Sequence, residues 1–171
     1  IRKIMELKDS NPGILGVIAD IIKVEKQYET AIETALGGTI QNIVTDKENT
    51  AKELINYLKV NKLGRATFLP LNAIHSRNTL ENDNCINEKG VVGVASNLVR
   101  VSFEYEGLAK YLLGRILVVD NIENALVIAR KYKYSLRIVT LEGEQLNPGG
   151  SMTGGAFKNS STVSYTHLRA H

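Results

Sequence analysis

Few residues in this chain could do covalent or metal chemistry, and their spacing argues against most of it. His75 lies in a polar stretch and His167 and His171 near the end, none with a Cys, Asp or Glu at metal-ligand spacing. The single cysteine, Cys85, sits among Asp83, Asn84 and Asn87 without a local general base, and reads as an ordinary surface thiol. Asp46 and Asp120 stand at strand ends, where α/β enzymes place catalytic acids. They stand equally at helix starts, where aspartate is a routine cap, and the cap is the simpler reading. Ser151 and Thr153 are not set in a GxSxG elbow. No catalytic constellation assembles, and neither a metal nor a cofactor is expected.

The one stretch with ligand-loop character is LEGEQLNPGGSMTGG, Leu141 to Gly155. Gly149, Gly150, Gly154 and Gly155 follow a proline and suit a backbone that turns through positive φ or meets another group closely. Such a loop can cradle a phosphate, make a structural turn or pack against a second backbone. A Walker-type phosphate loop needs a Lys and a Ser or Thr after its last glycine. Here Gly155 is followed by Ala156 and Phe157, with Lys158 further on.

Composition narrows the class. With 43% hydrophobic and 23% charged among 171 residues, the chain has the make-up of one domain or two small lobes sharing a core. A net charge of +3 permits nucleic-acid binding without arguing for it. One cysteine allows no internal disulfide, no apolar run approaches the roughly 18 residues of a membrane span, and no signal-peptide pattern opens the chain. A cytoplasmic protein without a membrane partner is expected.

The elements that must position the glycine stretch follow from periodicity. Ile1 to Leu7 has the look of a helix end, closed by the breaker Asp9–Gly13. Gly16 to Ile22 is apolar enough for a buried strand or a short helix. From Glu25 to Leu36, Tyr28, Ala31, Ile32, Ala35 and Leu36 fall at helical spacing, and Gly37-Gly38 stops the helix. Ile40 to Thr45 alternates as a strand. Thr45 with Glu48 predicts a capping box opening a helix that carries Ala51, Leu54, Ile55 and Leu58 on one face. Ala66 to Leu69 is a further strand. Leu71 to Gly90 reads as a long polar surface connection of the kind that separates lobes, and Val91 to Ala95 resumes strand character.

The pattern then repeats. Tyr28-Glu29, Leu36 and Gly37 match Tyr105-Glu106, Leu113 and Gly114, each 77 residues later. Each helix leads to an apolar strand ending at Asp46 or Asp120, then to a helix and another strand, the last being Leu136 to Thr140. A helix–strand–helix–strand unit written twice predicts two similar α/β lobes with mixed sheets, related by pseudo-symmetry. Lobe I spans about residues 13–90 and lobe II about 91–160. Lys59, Lys62 and Arg65 form a basic cluster in the first lobe, and Arg130, Lys131 and Lys133 its counterpart in the second. Each reads as a solvated helix end or as a nucleic-acid patch.

Lys23 to Asp46, Gly64 to Leu71 and Leu141 to Gly155 together resemble the hinge domain of bacterial SMC (structural maintenance of chromosomes) proteins. The resemblance runs from about Gly13 to Ser160 with all motifs in the family's order. It implies two α/β lobes interrupting a long antiparallel coiled coil whose far end carries a split ATPase head. It also implies a closed two-fold dimer of hinges, joined through edge strands and the glycines near the end of the second lobe. Those glycines match Gly149, Gly150, Gly154 and Gly155, with Ser151, Met152 and Thr153 between them. Gly37-Gly38 matches a first-lobe motif that serves as interface or turn.

Weak DNA binding at basic residues is implied as well; of the family's basic residues after the last glycines, only Lys158 stands here. Kleisin-type subunits would bind through heads outside this stretch, and the whole protein would work at the nucleoid. On this resemblance residues 1–12 end one coiled-coil arm. Residues 161–171 form a tail without a heptad pattern to begin the other arm, read as non-native or disordered, and Val163 to His171 within it reads as foreign to the natural protein. The competing reading is a phosphate- or nucleotide-binding α/β domain that uses the glycine loop.

Overall fold

The computed structural model describes residues 1–156 and 169–170. A short helix α1 (Arg2–Met5) precedes the first unit and buries Ile4 against Ile14, Ile43, Leu54 and Leu58. The first unit runs β1 (Ile14–Val17), a one-turn helix α2 (Ile18–Ile21), β2 (Lys23–Val24), α3 (Glu29–Leu36), β3 (Ile43–Thr45), α4 (Glu48–Val60) and β4 (Phe68–Pro70). The apolar run at 16–22 therefore divides between a strand and a helix.

The second unit repeats the order. It comprises β5 (Val91–Val94), β6 (Val99–Arg100), α5 (Glu106–Leu113), β7 (Ile116–Val119), α6 (Ile122–Lys131) and β8 (Arg137–Thr140). β1 pairs antiparallel with β3 and β3 parallel with β4; β5 pairs antiparallel with β7 and β7 parallel with β8. Even the register shifts agree, between Ile14 and Gly16 in one unit and Val91 and Gly93 in the other. Each of α3 and α5 is entered through one turn of 3-10 helix, Lys26–Tyr28 and Phe103–Tyr105.

The two units share a core. Ile32, Ala35 and Leu36 of α3 meet Leu108 and Leu113 of α5, with Val118 and Val139 from the second sheet, in a single buried cluster. β2 pairs antiparallel with β6, so the short strands of the two units join near the pseudo-symmetry axis. Burying one continuous apolar surface between the lobes makes them one cooperative body. A two-residue strand β11 (Arg169–Ala170) lies parallel to β2. Apart from those two residues, the stretch from Val163 onward, read as foreign, lies outside the described residues.

Several expectations need correction. Two strands follow β8, namely β9 (Gln145–Leu146) and β10 (Met152–Thr153), so the glycine stretch is part of the sheet rather than its sequel. Thr45 does not cap α4: it is buried in β3 with its hydroxyl donating to the Lys47 carbonyl, and Asn72 Oδ1 accepts the Glu48 amide instead. Ile55 leaves the buried face of α4 and is 53% exposed.

The connection from 71 to 90 is not wholly superficial. Two 3-10 turns, Leu80–Asn82 and Asn84–Asn87, send Leu80 and Cys85 into the core formed with Leu117, Ala125 and Ile138. Cys85 is thus a buried thiol, pushed up in pKa first by burial and then by Asp83.

Candidate functional site

The glycine stretch folds as a hairpin. Leu146 faces Met152 and Gln145 faces Thr153 across β9 and β10, and Asn147 to Ser151 make the loop. Inside it the Asn147 amide donates to the Ser151 carbonyl at 2.8 Å and the Gly150 amide to the Asn147 carbonyl at 3.0 Å. The Asn147 side-chain amide adds a bond to Ser151 Oγ at 3.1 Å. Gly149 and Gly150 take φ of 91° and 110°, which a side chain rarely tolerates. The Gly149 amide donates 2.8 Å to the Tyr134 carbonyl, tying the loop to the end of α6.

Such a loop has little to offer a phosphate. The Asn147, Gly149 and Gly150 amides all point to carbonyls of the chain itself, and the hairpin leads into a strand rather than a helix N-terminus. It does offer an edge. The second-lobe sheet has the order β10-β9-β8-β7-β5, so β10 is terminal among the described residues, and residues 148–156 are all exposed. Among the described residues, a side chain added at Gly149 or Gly155 would meet nothing within 4 Å, so no crowding there requires these glycines. Met152 is 49% exposed. From Asn147 to Gly155 there is no charged residue.

The first lobe carries a matching feature. Its sheet has the order β1-β3-β4, which leaves β4 terminal, and Ala66 to Pro70 is also without charge. Between β4 and α4 runs a groove of about 910 Å³, walled by Ala51, Ile55, Ala66 and Phe68 with Lys47 and Lys52 on its rim. Natural sheet edges are usually guarded by charge, bulges or covering elements. Two edges whose own residues carry no charge are therefore informative.

The other singled-out residues divide. Gly37, with φ of 54°, and Gly38 lie exposed just after α3, whose Thr34 and Ala35 carbonyls accept from Gln145 and Arg137 of the second-lobe sheet. Lys59, Lys62 and Arg65 are exposed at the end of α4, as are Arg130, Lys131 and Lys133 at the end of α6. Lys131 is committed to Glu88 at 2.8 Å; with the Tyr132 hydroxyl it holds that carboxylate below its usual range, and the same bond pushes the phenol up to about 12. Lys158 lies outside the described residues.

Asp46 Oδ1 accepts from the Lys47 amide and the Thr50 hydroxyl, and the Thr50 bond lowers its pKa. Asp120 Oδ1 likewise accepts from the Asn121 amide and the Asn124 side-chain amide, while Asn121 itself caps α6. Both aspartates fasten helix starts and, among the described residues, face no reactive partner. Among the described residues no cluster of His, Cys, Asp and Glu could hold a metal, and no helix is long and apolar enough to cross a membrane.

Two features here escape sequence reading. Glu33 is half-buried on α3 at the seam between the lobes, with Oε1 unpartnered among the described residues, and burial, aided by Glu29, raises its pKa to about 7. Tyr134, standing beside the hairpin, carries no sequence signal beyond being aromatic.

The family model for the SMC proteins flexible hinge domain matches residues 11–129. The chain belongs to the SMC hinge family. Chromosome partition protein Smc of Bacillus subtilis is 42% identical to it over 160 residues, 92% of this chain, and that of Methanocaldococcus jannaschii 40% identical over 163 residues, 95% of this chain. The hinge spans about 14% of the length of these relatives. Among solved structures, the hinge domain of Geobacillus stearothermophilus matches with a TM-score of 0.84 at 40% identity, covering 95% of this chain and 68% of that one. The Pyrococcus furiosus hinge matches with a TM-score of 0.74 at 34% identity, covering 94% and 87%. The α/β architecture with mixed sheets is thus that of SMC hinges.

Proposed function

We propose that this hinge is a non-catalytic dimerisation module that joins two copies of its chain through both lobes. The observation that carries the reading is the pair of uncharged sheet edges, β10 in the second lobe and β4 in the first. Laying β10 of one copy along β4 of the other merges a second-lobe sheet with a first-lobe sheet. A two-fold axis repeats the contact, so both edges of both copies are covered and the assembly closes. The exposed glycines let the partner backbone approach. The Geobacillus stearothermophilus relative is described as an asymmetric dimer, which supports a hinge-to-hinge contact in the family.

In the whole protein this dimer would link two SMC subunits for chromosome partition and condensation, helping to enclose DNA at the nucleoid. ATP hydrolysis and kleisin-type partners would belong to heads outside the chain. The exposed basic residues Lys59, Lys62, Arg65, Arg130 and Lys133 would add weak, salt-dependent DNA binding.

Light scattering tests the module. The wild-type chain is expected to show twice the chain mass at micromolar concentration, and a Gly149→Glu, Gly150→Glu variant a folded monomer. A wild-type monomer at that concentration would overturn the proposal.

A further inference from the structure

A strained segment lies directly beside the hairpin. Lys133 and Tyr134 both have φ of 57°, two successive non-glycine residues in the left-handed region. Such a conformation persists only where the surroundings enforce it, and it is often kept at functional surfaces. Both sides of Tyr134 are held: its amide donates to the Ala129 carbonyl of α6 at 2.8 Å, and its carbonyl accepts from Gly149 at 2.8 Å. The residue is nonetheless 42% exposed, its ring edge 3.9 Å from where a Cβ on Gly150 would lie. Tyr134 and Met152 therefore flank a loop whose own side chains are small or polar apart from Pro148.

Opposite in character is the first-lobe groove. Its apolar wall includes Ile55, 53% exposed on the flank of α4, and Phe68 on β4, so apolar surface lines the edge that a partner strand would extend. The hairpin, with Met152 on it and Tyr134 beside it, brings no charge of its own into this groove, whose rim keeps Lys47 and Lys52. Tyrosine is also among the residues that most often anchor interfaces, because its large rigid ring carries a polar tip.

We infer that Tyr134 anchors the hinge dimer: with Met152 it seats in the groove between α4 and β4 of a second copy, against Ile55 and Phe68. This rests on the pairing of the two edges proposed above, and it adds that the contact depends on one side chain displayed by a strained turn. The backbone bonds of Tyr134 fasten the hairpin, and 42% of the residue stays exposed for a partner.

Sedimentation equilibrium over a dilution series provides the test. Tyr134→Ala is expected to weaken the dimer about ten-fold or more, as hot-spot truncations do, while Tyr134→Phe keeps it close to wild type. Ile55→Lys, on the exposed opposite surface, should weaken it comparably and carries the test if Tyr134→Ala fails to fold. An equimolar mixture of the two variants should associate more tightly than either alone, because the mixed dimer keeps one intact seat. A wild-type dimer left unchanged by Tyr134→Ala or Ile55→Lys, or a mixture no tighter than its components, would overturn the anchor and leave the edge pairing standing. A monomeric wild type would overturn the edge pairing itself.

Discussion

The Asp120 amide donates to the Gly90 carbonyl at 2.8 Å, and the carboxylate of Asp120 closes over the same glycine. A Cβ on Gly90 would lie 2.6 Å from both Asp120 Oδ1 and Asn124 Nδ2. The first lobe repeats this at Gly13, where the Asp46 amide donates at 3.0 Å and a Cβ would lie 2.8 Å from Asp46 Oδ1. Each lobe thus locks the start of its first strand to the start of its crossover helix with one glycine and one aspartate.

Gly90→Ala combines that collision with a φ of 91°, and should destabilise the fold by about 2 kcal/mol. Gly149→Ala has the same φ but open space around it, and should cost only about 1 kcal/mol. Urea titration of the two variants beside wild type checks the order. Equal losses would mean that the aspartate lock is easily displaced.

Glu33 makes stability depend on pH. Its folded pKa of about 7 lies above the ordinary 4.5 because burial, and then Glu29, disfavour the carboxylate. The folded state therefore holds a proton that the unfolded chain releases, and the stability present below the ordinary value is lost as pH rises towards about 7. In Glu33→Gln this loss should be absent. The melting temperature of the variant minus that of wild type should grow between pH 5 and pH 7 and then level off; a constant difference would contradict the assignment.

DNA affinity should follow counterion release. Retardation of a duplex should weaken steeply between 50 and 200 mM salt, as expected of phosphate contacts. Replacing Lys59, Lys62 and Arg65 by alanine should lower both affinity and salt slope. Tight complexes that resist salt would instead make nucleic-acid recognition the main role.

The repeated units were legible because buried strands and amphipathic helices leave strong periods. The matching glycines at 37 and 114 and the aspartates at 46 and 120 fixed how one unit maps onto the other. What escaped was short or decided by tertiary contact. β9 and β10 have two residues each, too few for alternation to register. Leu80 and Cys85 are buried from within a polar stretch because 3-10 turns aim them inward. Ile55 keeps helical spacing with the core residues of α4, yet stands over an open groove. The glycine loop was legible as a motif, whereas its neighbour Tyr134 is brought there by the turn after α6 and by one backbone bond.

The most direct measurement is a crosslink between lobes of different copies. Thr153→Cys in one chain and a cysteine at position 66, 67 or 68 in another place thiols on the two edges, and native Cys85 is too buried to compete. Paired strands bring such residues within disulfide reach. Mild oxidation of the mixed variants should give a covalent dimer containing one chain of each kind. A dimeric mixture in which Thr153→Cys chains join only each other, or no chain pair crosslinks at any of the three positions, would contradict the joining of first and second lobes.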